Sequence, residues 1–325
     1  MKKSSALLTL TFCVLNWFSG AQVQAGTLYP VVVGDRWGFV DKSGSLVVNP
    51  QFERADPFAD GAAAIRLGKV WGYVDGTGKV SINPQFDTAA PFSSGLAVVK
   101  FGGRYGYVGA DGKYVINPQF DAAGPFVEGR APAKLRKKMY GFIDRSGNFV
   151  INPQFDSAGP FSEGLAAIEV SDRWGFVDAG GKLAINPQFD LAEAFSGGYA
   201  AIKLAKRWGF VDKSGKIVIH PQFEEVGAFI KGLAPVRIGN RWGYADIAGK
   251  LAINPQFDAA DSFAPDLARV KLAGRWGYIN KEGKYVINPQ FDEAAPFADG
   301  LARVKISRKL GYIDENGRFI WNPAN

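Results

Sequence analysis

A tryptophan–glycine pair opens at Trp37-Gly38, and its glycine recurs at Gly72, Gly106, Gly141, Gly175, Gly209, Gly243, Gly277 and Gly311. The step is 34 residues, with one step of 35 between Gly106 and Gly141. Asn-Pro-Gln-Phe travels with it at 49–52, 83–86, 117–120, 152–155, 186–189, 254–257 and 288–291, and becomes His-Pro-Gln-Phe at 220–223. A period of this length rules out most folds at once. Each copy is too small to bury its own apolar face and must do so against its neighbours, in a solenoid, a propeller or an extended array.

Within one copy, Leu165-Ala166-Ala167-Ile168-Glu169 is a short apolar run, Ser171-Asp172-Arg173 a turn, and Trp174 to Asp178 a second run. Asp178-Ala179-Gly180-Gly181 is turn chemistry and leads into Lys182-Leu183-Ala184-Ile185-Asn186. Three strands joined by hairpin turns follow from that pattern, with glycine supplying the positive φ of the tighter turns. No window sustains a helical period, so long helices are not expected. Alternation places Trp174 and Phe176 on one face of the second strand and Gly175 and Val177 on the other. Small glycine beside tryptophan leaves room for a neighbouring sheet or ring to lie close to the backbone.

The segment from Asn152 to Gly164 reads as an ordered connector, its prolines arguing against a central strand. Phe155 and Phe161 are expected to plug the seam between units, and two such rings are worth several kcal/mol, on the order of 1.5–3 each. With them, Trp37, Trp71, Trp174, Trp208, Trp242 and Trp276 form the expected repeat core. Leu28 to Val32 occupies the first-strand slot before Trp37, and the last copy stops at Asn322-Pro323, before any connector. The expectation is an all-β tandem array of about nine three-stranded antiparallel units. No strand is left over to complete a unit from the opposite terminus. That favours an open β-solenoid or superhelix, with a closed β-propeller as the alternative.

Residues 1–25 stand outside the array. Lys2 and Lys3 precede the apolar stretch Ala6 to Phe18, and small residues lead to Val23-Gln24-Ala25, which reads as a secretory signal peptide with cleavage after Ala25. The array is then residues 26–325, a single β domain exported to the periplasm, the cell surface or the medium, with no transmembrane segment once the leader is removed. The one cysteine, Cys13, lies in the leader, so thiol, zinc–thiolate and iron–sulfur chemistry are excluded from the remainder. The net charge is +7, two of it from the leader lysines, a mild basicity that suits anionic partners without requiring them.

The run Arg-Trp-Gly-Phe-Val-Asp at 173–178, with Ile-Asn-Pro-Gln-Phe-Asp and Phe-x-x-Gly-Leu-Ala, resembles the bacterial WG-repeat (KWG-repeat) family over residues 27–325. The resemblance implies a β-rich tandem-repeat protein with no enzymatic activity attached to the repeat, and it fixes no ligand. Departures are modest: Tyr105, Tyr140 and Leu310 replace the tryptophan, and Asp266 a glycine.

No catalytic constellation stands out. The sole histidine, His220, replaces the connector asparagine and has no partner for a metal site or a triad. Acids fall in two ladders. Asp41, Asp75, Asp144, Asp178, Asp212, Asp246 and Asp314 begin a turn, where a carboxylate accepts turn N–H groups. Glu53, Asp87, Asp121, Asp156, Asp190, Glu224, Asp258 and Asp292 follow the connector phenylalanine. A catalytic pair would interrupt the repeat once, and these recur throughout it. No catalytic residue, metal or cofactor is expected.

Cations form ladders too. Arg66, Lys100, Lys134, Lys203, Arg237, Lys271 and Lys305 end the first strand, with Glu169 the exception. Arg269 and Arg303 stand two residues earlier in the last two units. Arg36, Arg104, Arg173, Arg207, Arg241 and Arg275 precede the aromatic–glycine pair, and Lys309 precedes Leu310. One cation per unit becomes a stripe, which either lies over the tryptophans and pairs with the acids or binds an acidic protein or an anionic envelope polymer. Nucleic acid fits poorly with export and modest charge. The expectation is a non-enzymatic binding or scaffolding protein. The alternative is a carbohydrate-binding module using exposed rings such as Tyr29, Tyr199 or Trp321.

Overall fold

The computed structural model describes residues 28–135 and 139–322. The leader, and Arg136, Lys137 and Lys138 of the one-residue insertion, lie outside the described residues. The described chain forms nine consecutive antiparallel sheets. Eight have four strands and the first, Tyr29–Val33, Arg36–Val40 and Leu46–Phe52, has three. Blade 2 shows the full unit: a short strand Arg54–Ala55, a first strand Ala62–Leu67, a second Val70–Asp75 and a third Val80–Phe86, paired in that order. The short strand is the element the sequence left in the connector. Its main-chain pairing makes the unit four-stranded where three were expected.

Asn-Pro-Gln-Phe also belongs to a strand, the last part of the seven-residue third strand. Proline is tolerated because this strand is an edge of its sheet and has no further neighbour to receive an N–H. A bulge accompanies it: Trp71 pairs with Phe86 and Tyr73 with Ile82, so two residues of one strand span four of the other. That bulge explains the glycine of the tryptophan–glycine pair. A Cβ on Gly72 would stand 2.4 Å from the Ile82 carbonyl oxygen and 2.6 Å from the Pro84 nitrogen. The sequence points to a neighbouring sheet or ring at this glycine; the close approach is made instead by the unit's own third strand, because the bulge folds that strand over it.

Each seam between blades is filled from both sides. The ring at the position after Gly, Phe142 in blade 4, meets Phe155 at 6.2 Å and Phe161 at 4.9 Å, both edge-to-face. Phe155 and Phe161 are 3% and 1% exposed, as a core role requires. The same pairing recurs as Phe39–Phe58, Tyr73–Phe92, Tyr107–Phe126, Phe176–Phe195, Phe210–Phe229, Tyr244–Phe263 and Tyr278–Phe297. The second strand alternates as expected, with Phe176 and Val177 buried in different seams.

The array closes on itself. Blade 9 packs on blade 1 through a cluster of Tyr29, Val31, Val40, Leu301 and Tyr312. Tyr29 and Tyr312 meet edge-to-face at 5.6 Å, and the Tyr312 hydroxyl donates to the Pro30 carbonyl at 2.9 Å. Gly44 lies against the Ile320 backbone as Gly78 lies against Val48 one seam on. The structure is thus a nine-bladed β-propeller, the second of the two arrangements the sequence left open. The missing leftover strand does not prevent closure, because side chains of blades 1 and 9 make the last seam directly.

Candidate functional site

Antiparallel strands put alternate turns on opposite faces of the ring. One face carries the turns between second and third strands. There Asp41 Oδ1 accepts the amides of Ser43 and Ser45 at 2.8 and 2.9 Å, and Asp75, Asp144, Asp178, Asp212, Asp246 and Asp314 repeat the cap. Hydroxyls of Ser43, Thr77 and Ser214 on the same oxygens, followed by turn amides, hold Asp41, Asp75 and Asp212 below the usual carboxylate range. Blade 8 does this with an amide: Asn280 Oδ1 accepts Lys284 N–H at 2.9 Å. On this face Asp60, Glu128 and Glu163 accept the amides of Gly95, Gly164 and Gly198 in the next blade. These cross-seam clips are absent from the sequence reading. Their acids and glycines fall in a connector whose fold the period alone does not give.

The opposite face carries the turns between first and second strands and every ladder cation. Arg104, Arg173, Arg207, Arg241 and Arg275 each bind the acid 17 residues on, in the pairs Arg104–Asp121, Arg173–Asp190, Arg207–Glu224, Arg241–Asp258 and Arg275–Asp292. Arg36 reaches Glu53 at 4.0 Å. Several acids of this second ladder also accept a turn amide of the following blade: Asp156 from Ser171, Asp258 from Gly274 and Asp292 from Ser307. The second acidic ladder is therefore a set of clips across the seams, and the arginines before the aromatic are engaged with it.

The first-strand ladder divides in two. Every member lies directly across from the aromatic position of the second strand, as Lys203 lies across from Trp208 and Lys305 from Leu310. On its other side it faces the short strand, where a facing glutamate, or for Arg66 the preceding Glu53, gives it an ion pair. Glu225 faces Arg237 and Glu293 faces Lys305, giving ion pairs at 2.6 and 2.8 Å. Arg54 faces Arg66, which pairs with Glu53 at 3.7 Å. Thr88, Ala122, Leu191 and Ala259 face Lys100, Lys134, Lys203 and Lys271. These four lysines have no ion pair among the described residues. Each ammonium lies over a ring instead, at 5.2 Å from Tyr105, 5.2 Å from Tyr140, 5.4 Å from Trp208 and 5.7 Å from Trp276. Trp37, Trp71, Trp174, Trp208, Trp242 and Trp276 are half-buried, their inner edges on the seam clusters.

Arg269 leaves the ladder for the interior of its seam. It binds Asp261 and the Ala294 carbonyl, with its guanidinium 4.6 Å from the Trp276 ring centre. Arg303, its equivalent one blade later, is exposed and lies within electrostatic reach of Asp56 two blades away. Burial raises the carboxyls of Asp56 and Glu193 above their ordinary values. An open cleft of 370 Å³ at the seam between blades 8 and 9 is lined by Arg275, Asp292, Glu293, Lys305, Ser307 and Arg308.

His220 is exposed at the connector asparagine position. Among the described residues no group of three or more His, Cys, Asp or Glu is placed to hold a metal, and no helix is long and apolar enough to cross a membrane. Of the rings considered for glycan stacking, Tyr29 is 7% exposed, and burial, followed by Asp299, pushes its phenol up to about 12. Tyr199 and Trp321 are half-buried.

Among solved structures, the fold is similar to that titled as the eukaryotic initiation factor, at 10% identity and a TM-score of 0.64, covering 91% of this chain and 95% of that one. It is also similar to the computationally designed Ika8 protein, at 11% identity and a TM-score of 0.52, covering 82% and 93%. At these identities the likeness is one of fold alone. No curated protein sequence matches the chain. The family model described as WG containing repeat matches residues 37–71, 71–105, 105–138, 140–174, 174–207, 208–242, 242–276 and 276–309. With eight tandem matches along nearly the whole propeller, the chain belongs to the family of WG-containing repeat proteins.

Proposed function

We propose that this propeller is an exported, non-enzymatic binding and scaffolding protein whose partner is a protein or an anionic polymer of the cell envelope. The observation that carries the reading is the gathering of the first-strand cations at the same position on one face in seven of the nine blades, four of them without an ion pair among the described residues. A repeated weak contact on a rigid body gives avidity without a deep pocket. The non-enzymatic reading draws on the acids of the two ladders, which serve in turn caps and seam clips. Export rests on the leader sequence, and the location at the envelope follows from it. The glycan reading is weaker because Tyr29 is enclosed in the closing seam.

The test is a pull-down with residues 26–325 against solubilised envelope fractions at low and high salt. Capture at low salt that is lost at high salt supports a cationic contact face. Capture that survives salt moves the contact to rings and shape. No capture in either condition leaves the ladders as parts of the fold alone.

A further inference from the structure

The ladder face carries a distinction that the repeat pattern hides. Arg66 and Arg237 have glutamates beside them, and Lys305 has Glu293. Lys100, Lys134, Lys203 and Lys271 have a ring beneath and a neutral residue beside, so each ammonium is held in place without an ion pair among the described residues. We propose that these four lysines form the ligand-contacting arc of the ring, and that the ligand is a long polymer bearing phosphoryl groups. This rests on the binding function proposed above.

Three features support the class. The lysines stand in blades 3, 4, 6 and 8, spread over more than half of the ring at uneven intervals, so a compact anion meets one of them and only a chain meets all. Among the described residues, the members of the strand-end ladder without an ion pair are all lysines, while its arginines, Arg66 and Arg237, are held by glutamates. A guanidinium selects a planar carboxylate through two parallel bonds, whereas an ammonium is a point charge with donors in several directions and takes a tetrahedral phosphoryl group at any azimuth. The ring beneath each lysine restrains the stem, which reduces the ordering that a flexible surface lysine must undergo on binding. The arc thus reads charge along a chain and demands no fixed spacing.

The experiment uses residues 26–325 and two probes, inorganic polyphosphate and poly-L-glutamate of matched length, titrated at several salt concentrations. The arc variant is Lys100→Gln, Lys134→Gln, Lys203→Gln and Lys271→Gln, which removes charge and keeps a stem over each ring. The control variant is Arg66→Gln, Arg237→Gln and Lys305→Gln. Circular dichroism and the melting temperature establish that both are folded, and single Lys→Gln variants serve if the fourfold one is not. The expected result is polyphosphate binding that weakens at least tenfold in the arc variant, with the slope of log K on log salt reduced by about 3, and that changes less than about twofold in the control. Equal losses in both variants overturn the assignment of the arc while leaving anion binding intact. Preference for polyglutamate overturns the phosphoryl class. Failure of the wild type to bind either probe overturns the anion-binding reading itself.

Discussion

The Tyr312 hydroxyl donates to the Pro30 carbonyl across 282 residues of sequence. In blade 2 the equivalent carbonyl, Ala64, accepts the Asp56 amide from the short strand, and equivalents at Pro132 and Pro235 accept Gly124 and Gly227. Blade 1 has no short strand among the described residues, so a tyrosine from the far end of the chain satisfies that carbonyl. The same phenol position elsewhere behaves differently: Tyr107 donates forward to Gly124 and Tyr278 to Ala295. Closure therefore reuses a repeat side chain on a new acceptor.

Tyr312→Phe is expected to cost about 1–3 kcal/mol, the range for stranding a buried carbonyl. Tyr107→Phe, which leaves the Gly124 carbonyl in the same condition, is the matched comparison. Urea unfolding measures both. An open chain has no use for the Tyr312 hydroxyl, so a cost at Tyr107 with none at Tyr312 argues against the closed ring.

Gly175→Ala places a methyl 2.5 Å from the Ile185 oxygen and 2.6 Å from the Pro187 nitrogen. Both are backbone atoms in a bulge, so the strand must move, at about 1–3 kcal/mol as in overpacked cores. Gly164→Ala removes only the positive-φ freedom, since nothing lies within 4 Å of its Cβ position. Denaturation midpoints should fall for both, and near-ultraviolet circular dichroism of Trp174 should change only for the first.

Acid should weaken the fold partly through Asp41, Asp75 and Asp212. Their pKa values are lowered in the folded state. The stability they contribute is present above the unfolded value of about 3.9 and is lost as pH falls through the lowered folded value. Asp56 and Glu193, raised by burial, act with the opposite sign and favour the fold on protonation. The triple variant Asp41→Asn, Asp75→Asn and Asp212→Asn keeps a turn acceptor, as Asn280 does, and should show a shallower loss of stability below about pH 4. An unchanged acid limb places the loss in other carboxylates.

Arg241→Ala removes one exposed partner of Asp258 and should cost no more than about 1 kcal/mol. Asp258→Ala should cost more, because that carboxylate also accepts the Gly274 amide of the next blade. Equal costs for the two substitutions mean the seam clip contributes nothing beyond the ion pair.

The sequence shows the three long strands because their residues alternate visibly, as in Trp174 to Val177. The connector phenylalanines are equally legible, since large rings at fixed spacing must be buried. The short strand is not legible: Arg54–Ala55 and Ala122–Ala123 have two residues each and no pattern of their own, and they exist through main-chain pairing with the first strand. Closure was hidden for a related reason, because it depends on Tyr29 and Pro30 meeting a strand almost the whole chain away. The cationic ladders could be read by position. Arg66 apart, which members are paired depends on the residue two places after the connector phenylalanine, at Thr88 or Glu225, and that residue gains meaning only once it is seen to face the ladder.

Because the blades follow one another around the ring in chain order and, among the described residues, blades 1 and 9 meet without exchanging a strand, residue number works as an angle. Moving a side chain by one period turns it through one sector while its height and radius stay fixed. The surface is a dial whose marks are set one residue at a time, and duplicating or deleting a repeat shifts every later mark together.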